Sequence, residues 1–188
     1  VLVLKRLDDA LRDGDTVLAV VAGIGISNDI RGNLMLPDSG GQLRAMRAAY
    51  CASGWRPAEV DLIECHGTGT PVGDEVEYRS LCELWQGEET GGRDCIIGSV
   101  KSNIGHLLTA AGAAGLIKVL EALRHKRLPP TANFQRAAGR IRLDGRPFTV
   151  LEHPREWAPR APGVPRRAAD SAFGFGGINA HVLLEEFE

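Results

Sequence analysis

Ile96-Ile97-Gly98-Ser99-Val100-Lys101-Ser102-Asn103-Ile104-Gly105-His106 is the stretch from which the fold can be read. A short apolar run, the signal of a buried strand, ends in polar residues and a glycine. It then opens into an Ala/Leu-rich helical segment beginning near Leu107. His106 is thereby expected where the C-terminal edge of a strand meets a helix N-terminus, the place where open α/β sheets carry their chemistry. A lone histidine at such a point is commonly a satisfied core side chain. A second stretch of the same form, Leu62-Ile63-Glu64-Cys65-His66-Gly67-Thr68-Gly69-Thr70-Pro71, changes the weighing. It too runs from a strand into a histidine, then into small residues and a helix, and two strand-end histidines point to a site.

The bulk properties set bounds around these stretches. A chain of 188 residues can bury a real core as one domain. With 22 Lys and Arg against 24 Asp and Glu, nothing global argues for nucleic acid as a partner. The apolar window Leu107 to Ile117 is too short for a membrane span, and its alanines suit close helix packing. Cys51, Cys65, Cys82 and Cys95 form no C-x-x-C pair, which argues against zinc and against a disulfide framework and fits a reducing, cytoplasmic setting. No signal peptide is visible, and a start at Val1 reads as a piece of something longer.

Outward from the two histidines, the pattern alternates strands with helices. Strands are expected at Val1–Leu4, Thr16–Ile26, Val60–Cys65, Cys95–Val100, Phe148–Glu152 and His181–Glu185. Asp8–Asp13 reads as a polar connection or short helix. Helices are expected over Gln42–Ser53 with Gly54 as its stop, from Asp74 as N-cap to about Trp85 with Glu77 in the capping-box position, and over Leu107–His125. The last is apolar nearly all round, as a helix buried between layers would be. The Gly-rich loop Ser27–Gly41 is long enough to line a substrate entrance. The Pro/Arg-rich stretch Pro154–Arg167 reads as a solvated loop or, through Arg166 and Arg167, as a docking surface for an acidic carrier protein. Ala172–Gly177 is a turn between the last strands, which adds an antiparallel element to a mostly parallel α/β sheet.

Several chemistries fit two strand-end histidines. A metal would need a third ligand, with Asp74 and Glu64 nearest in sequence, but neither H-x-x-x-H nor H-E-x-x-H spacing occurs. Gly67-Thr68-Gly69-Thr70 matches neither nucleotide-binding glycine pattern, and its hydroxyls suit an extended polar ligand better. Acyl chemistry remains: two imidazole N–H donors aimed at one oxygen stabilise an enolate or a thioester oxyanion. Lys101 would tune the charge state of His106, and the Phe173-Gly174-Phe175-Gly176-Gly177 turn offers a backbone N–H with little steric cover.

Three segments carry a resemblance to a known family. They are Glu64-Cys65-His66-Gly67-Thr68-Gly69-Thr70-Pro71-Val72-Gly73-Asp74, Gly98-Ser99-Val100-Lys101-Ser102-Asn103-Ile104-Gly105-His106 and Phe173-Gly174-Phe175-Gly176-Gly177-Ile178-Asn179-Ala180-His181. In order and spacing they closely resemble the β-ketoacyl synthases, and most of all the ketosynthase domains of polyketide synthases and related multidomain fatty-acid-type enzymes. The resemblance spans nearly the whole chain. It implies an α/β, thiolase-like fold of two similar halves stacked as five layers, with this chain similar to the C-terminal half. That half is a mixed, mostly parallel sheet with a buried central helix and helices on both faces. Residues 1–15 would be the last strand of the N-terminal half and its connection, and residues 16–188 the C-terminal half.

By the same resemblance His66 and His106 are the catalytic histidines and Lys101 is their supporting lysine. Thr68 and Thr70, with Phe173, would meet the phosphopantetheine arm of an acyl carrier protein. Phe175 would supply an oxyanion-hole amide and gate the acyl pocket, with Asn179 behind it. The implied reaction is decarboxylative Claisen condensation of an acyl thioester with a malonyl-type extender, with no metal and no directly bound cofactor. The implied partners are the N-terminal half, the carrier protein and a second copy of the full domain.

One departure matters. The family's nucleophile is a cysteine in an Asp-x-Ala-Cys-Ser-Ser-like setting at a helix N-terminus, and no cysteine here has that context. Ile178 where threonine is usual, and Asp170-Ser171-Ala172 before the turn, are smaller departures. The rival reading is a non-catalytic partner protein that shapes a pocket or docks a carrier protein.

Overall fold

The computed structural model describes residues 1–30, 37–137, 139–144 and 147–187. In chain order the elements are α1 (Leu7–Asp13), β1 (Ala19–Asn28), α2 (Ser39–Ser53), β2 (Leu62–Glu64), α3 (Pro71–Leu84), β3 (Cys95–Gly98), α4 (Lys101–Ile104), α5 (Ala111–His125), β4 (Arg127–Leu128), β5 (Phe148–Thr149), β6 (Arg155–Glu156), β7 (Arg167–Gly174) and β8 (Ile178–Glu186). Six strands form one sheet in the order β1-β8-β7-β2-β3-β5. Its centre is parallel, β7 with β2, β2 with β3 and β3 with β5, and its other side is the antiparallel set β7, β8 and β1. The mixed, mostly parallel sheet expected from the sequence is present.

Period-2 alternation along the short central strands feeds two cores, one on each face. Ile63, Cys65, Cys95 and Ile97 face α2 and α3 with Met46, Tyr50, Leu81, Trp85 and Phe148. Leu62 and Ile96 face α5 with Val119, Ala122, Leu123 and Trp157. On the β1 side of the sheet, α2 lies almost on the strand backbone. A Cβ built on Gly25 would stand 1.8 Å from the Ala45 carbonyl oxygen, and one on Gly23 would stand 2.3 Å from that of Ala49. The glycines that interrupt the first apolar run are therefore close-approach positions.

Several boundaries move, for local reasons. Val1–Leu4 forms no ladder among the described residues, and Val1, Val3 and Leu4 stand exposed. β1 continues to Asn28, and α2 opens at Ser39, where the Asp38 side chain caps the Gly40 N–H at 3.2 Å. Of the loop expected over Ser27–Gly41, residues 31–36 lie outside the described residues. The helix expected over Leu107–His125 is divided into a single 3-10 turn over Leu108–Ala110 and α5, and the short α4 precedes it. Among the described residues one face of α5 is covered, by way of Ala111, Gly115, Val119, Ala122 and Leu123, while Ile117 is 43% exposed and Leu108 70%. Ile24 and Ile26, facing away from α2, are exposed as well. No helix among the described residues is long and apolar enough to cross a membrane.

Arg166 and Arg167 are not a docking surface. Arg166 is buried, makes a two-pronged ion pair with Glu186 at 2.7 and 2.8 Å, and donates from Nε to the Trp157 carbonyl. Arg167 pairs with Glu185 at 2.9 Å and Glu59 at 2.8 Å and lies over the Trp55 ring. The antiparallel register sets Arg167 opposite Glu185, so a charge cluster that reads as solvated is consumed by cross-strand pairing.

The α2–β1 contact makes a direct prediction. Gly25→Val must push α2 off the strand and is expected to cost about 3 kcal/mol, the upper part of the usual overpacking range, read as a lowered denaturant midpoint. An unchanged midpoint would contradict the packing described.

Candidate functional site

Beyond the end of β2 the chain keeps its register for one more residue, as the Cys65 N–H donates to the Gly98 carbonyl at 2.7 Å. His66 and Gly67 then turn their amides onto one side chain. Glu77, on the buried side of α3, accepts the His66 N–H through Oε1 and the Gly67 N–H through Oε2, each at 2.8 Å. Burial pushes this carboxyl up to about 7, against the two amides that favour its charged form. Glu77 is thus the anchor of the histidine loop, not part of a capping box. The N-cap of α3 is Thr70, which accepts the Gly73 N–H at 3.2 Å ahead of Pro71. Asp74, expected as N-cap, sits inside the first turn and accepts the Gly69 N–H at 3.1 Å.

After β3 the chain makes the single turn α4 and then reverses at Gly105, with φ 74° and ψ −177°, a conformation open in practice only to glycine. That reversal presents His106 beside His66, with ring centroids 5.5 Å apart and planes at 81°. His66 Nδ1 accepts the Phe173 N–H at 3.3 Å, and His106 Nδ1 accepts the Leu108 N–H at 3.0 Å. A ring nitrogen that accepts carries no proton, so each neutral imidazole holds its proton on Nε2. Burial, reinforced by the neighbouring Lys101 and His106, lowers the His66 pKa to about 4, which keeps that ring neutral near pH 7. The pair can therefore offer two N–H donors to one electron-rich oxygen without a charged imidazolium.

The other candidates divide between the site's face and its support. Thr68 and Thr70 share a 3.0 Å hydroxyl contact on the exposed loop that leads into α3. Phe175 stands 69% exposed at the tip of the β7–β8 turn. Phe173 is buried and packs its ring 5.7 Å from that of His66, so its side chain wedges the histidine in place. Asn179, expected behind the acyl pocket, is buried with its amide donors taken up by Asp29 at 2.7 Å and the Gly177 carbonyl at 3.1 Å. It ties the Phe175 turn to the end of β1 and presents no free donor to a ligand. Glu77 and Asp29 were not singled out from the sequence for these roles. The only signal for Glu77 was an acid on the buried side of a helix, while the pairing of Asp29 with Asn179 joins residues far apart in the chain.

The cysteines show no nucleophile's environment. Cys65 is buried, its thiol pKa is raised well above the ordinary value chiefly by burial, and its sulfur lies 3.9 Å from the Ile63 carbonyl oxygen. Cys95 is buried with its pKa raised in the same way, Cys82 lies on α3 against the core, and Cys51 is exposed on α2.

Residues 18–135 match the family model described as β-ketoacyl synthase, C-terminal domain. The chain is 46% identical over 187 residues to one component of the phenolphthiocerol/phthiocerol polyketide synthase of Mycobacterium tuberculosis, a match that covers 99% of this chain and 10% of that protein. It is likewise 46% identical over 195 residues to one component of the polyunsaturated fatty acid synthase of Thraustochytrium, covering 100% of this chain and 7% of that one. Among solved structures, the ketosynthase from module 6 of the bacillaene synthase of Bacillus subtilis 168 superposes with a TM-score of 0.93 at 39% identity. The match covers 98% of this chain and 33% of that one. The chain thus spans about a tenth of the polyketide synthase protein and about a third of the ketosynthase structure.

Two titrations follow from the site. Because folding holds the Glu77 proton more tightly than the unfolded chain does, its contribution is fully present below about pH 4.5. It is lost as pH rises to about 7, a change on the order of 3 kcal/mol. Glu77→Gln should remove that slope from the difference between variant and parent in denaturant unfolding, and an unaltered slope would show that Glu77 titrates normally. In NMR titrations of the complete domain, His66 should keep its neutral Nε2–H form down to about pH 4. Lys101→Met should move that midpoint upward, since a neighbouring cation is removed.

Proposed function

Because the chain belongs to the β-ketoacyl synthase family, we propose that it forms the C-terminal part of a ketosynthase that condenses an acyl thioester with a malonyl-type extender on an acyl carrier protein, in polyketide or fatty-acid synthesis. The observation that carries this reading is the matched tautomer of the two histidines. Both Nδ1 atoms are occupied by backbone N–H groups, which leaves two Nε2–H donors on adjoining rings. As carbon dioxide leaves the extender, the electron pair of the breaking C–C bond moves into the thioester carbonyl and charge develops on its oxygen. Donors fixed in place before the reaction stabilise that enolate more than the neutral thioester, which lowers the barrier. The enolate carbon then attacks the acyl thioester, forming the new C–C bond and expelling the thiolate that carried the acyl group.

That thiolate belongs to a cysteine of the N-terminal half, since covalent catalysis needs an activated nucleophile and Cys65 and Cys95 are held protonated in the core. Thr68 and Thr70, on the exposed loop beside His66, meet the phosphopantetheine arm. The Phe175 turn lines the acyl side, with its backbone amide directed to the second oxyanion. The expected localisation is cytoplasmic, and the expected assembly is a homodimer of the complete domain. A purely scaffolding protein would have no use for two histidines held in one tautomer.

In the full-length protein, His106→Ala should slow extender decarboxylation by about 10²–10³-fold, the usual effect of deleting one oxyanion donor, and leave acyl transfer to the enzyme at least partly working. The two half-reactions are measured separately, by carbon dioxide release and by intact-mass detection of the acyl-enzyme. Normal decarboxylation in the variant would remove His106 from this role, and an acyl group found on Cys65 would remove the N-terminal cysteine from its own.

A further inference from the structure

Behind the histidines lies a buried charge cluster that the condensation itself does not use. Glu64 and Asp170 are partners in the parallel register of β2 and β7, and both side chains face α5. They are 2% and 3% exposed. Gly115 of α5 sits over them so closely that a Cβ there would stand 2.4 Å from Asp170 Oδ1 and 3.0 Å from Glu64 Cγ. Lys118, one helical turn further on, reaches back to Glu64 Oε2 at 2.7 Å and supplies the ammonium at this cluster. Glu64 Oε1 is turned the other way and accepts the Val100 N–H at 2.5 Å. Glu64 therefore has α5 on one oxygen and the loop that carries Lys101 and His106 on the other.

The loop has little else to hold it. α4 buries none of its residues, so apolar packing does little to fix it to the sheet. Its other hydrogen bonds among the described residues, such as Ser102 Oγ to the Ser99 carbonyl at 2.8 Å and Gly105 N–H to the Lys101 carbonyl at 3.0 Å, are internal to the loop. They give it a shape without giving it a place. Position comes from the Val100 N–H on Glu64, and that acceptor is fixed by Lys118.

We propose that Glu64 and Lys118 are a positioning pair that sets the location of His106, so that α5 holds one half of the donor pair through a buried ion pair. This rests on the reading of His106 as an oxyanion donor. Lys118 touches no reacting group. Its removal leaves Glu64 beside Asp170 with only the more distant field of Lys101 acting on both, and the loop anchor loses its fixed geometry.

The test is made in the full-length protein with three variants. Lys118→Met should lower the turnover of decarboxylation by about tenfold to a hundredfold, as a misplaced catalytic group does, with the Michaelis constant for carrier-bound extender nearly unchanged. The double change Glu64→Gln with Lys118→Met should recover most of that loss, because the amide oxygen still accepts the Val100 N–H and no buried carboxylate is left without its cation. His106→Ala is the reference. If it loses decarboxylation while Lys118→Met keeps parental turnover, the positioning pair is wrong and the donor reading stands. If His106→Ala keeps decarboxylation, the donor reading itself is wrong. Where Lys118→Met fails to fold, the double variant alone decides: turnover near the parent's supports the pair, and a loss as deep as that of His106→Ala overturns it.

Discussion

The parallel pairing of β2 with β3 is the constraint on which the rest depends. Leu62, Ile63 and Glu64 stand opposite Ile96, Ile97 and Gly98, so the two strands end together and their following loops leave the same edge of the sheet. His66 follows its strand almost at once, whereas His106 is returned to that edge by α4 and the reversal at Gly105. A slip of one residue would turn Ile63 and Ile97 out of the core on the α2–α3 face, so hydrophobic burial on both faces holds the register that aligns the histidines. Stability and site geometry are one requirement here.

Around this edge the molecule sets carboxylates behind the loops, buried Glu77 and Glu64 accepting backbone amides and half-buried Asp29 accepting a side-chain amide. Glu77 holds the His66 loop, Glu64 holds the His106 loop, and Asp29, through Asn179, holds the Phe175 turn. Each is an acceptor directed at a loop that apolar packing alone does not fix. Burial raises the pKa of Glu77 and Glu64, while hydrogen bonds from the loop amides favour their charged forms. His66 carries the opposite bias, since burial and the Lys101 charge keep it neutral and therefore able to donate from Nε2 without becoming an acid.

Much of this was legible in the sequence. The strand-into-histidine form of both stretches, the glycines at turns and the alternation of strands with helices pointed to the α/β class and to both histidines, because these signals are local and periodic. What escaped is non-local. β1 pairs with β8, the first strand of the sheet with the last, and no sequence period records that. Arg166 and Arg167 look like a solvated charge run until β8 sets Glu185 and Glu186 beside them. Asp74 and Glu77 match a helix-capping signature, yet Thr70 takes the cap and frees both acids to serve the loop before it. The apolar helix reads as buried all round. One side is open because no described residue covers Leu108 and Ile117.

The most direct test of the account is a structure of the complete domain with a malonyl-pantetheine analogue that cannot lose carbon dioxide. The thioester carbonyl oxygen should lie within hydrogen-bond distance of Nε2 of both His66 and His106, about 2.7–3.1 Å, with both Nδ1 atoms still accepting their backbone N–H groups. A carbonyl held by only one histidine, or by backbone amides alone, would contradict the paired-donor mechanism.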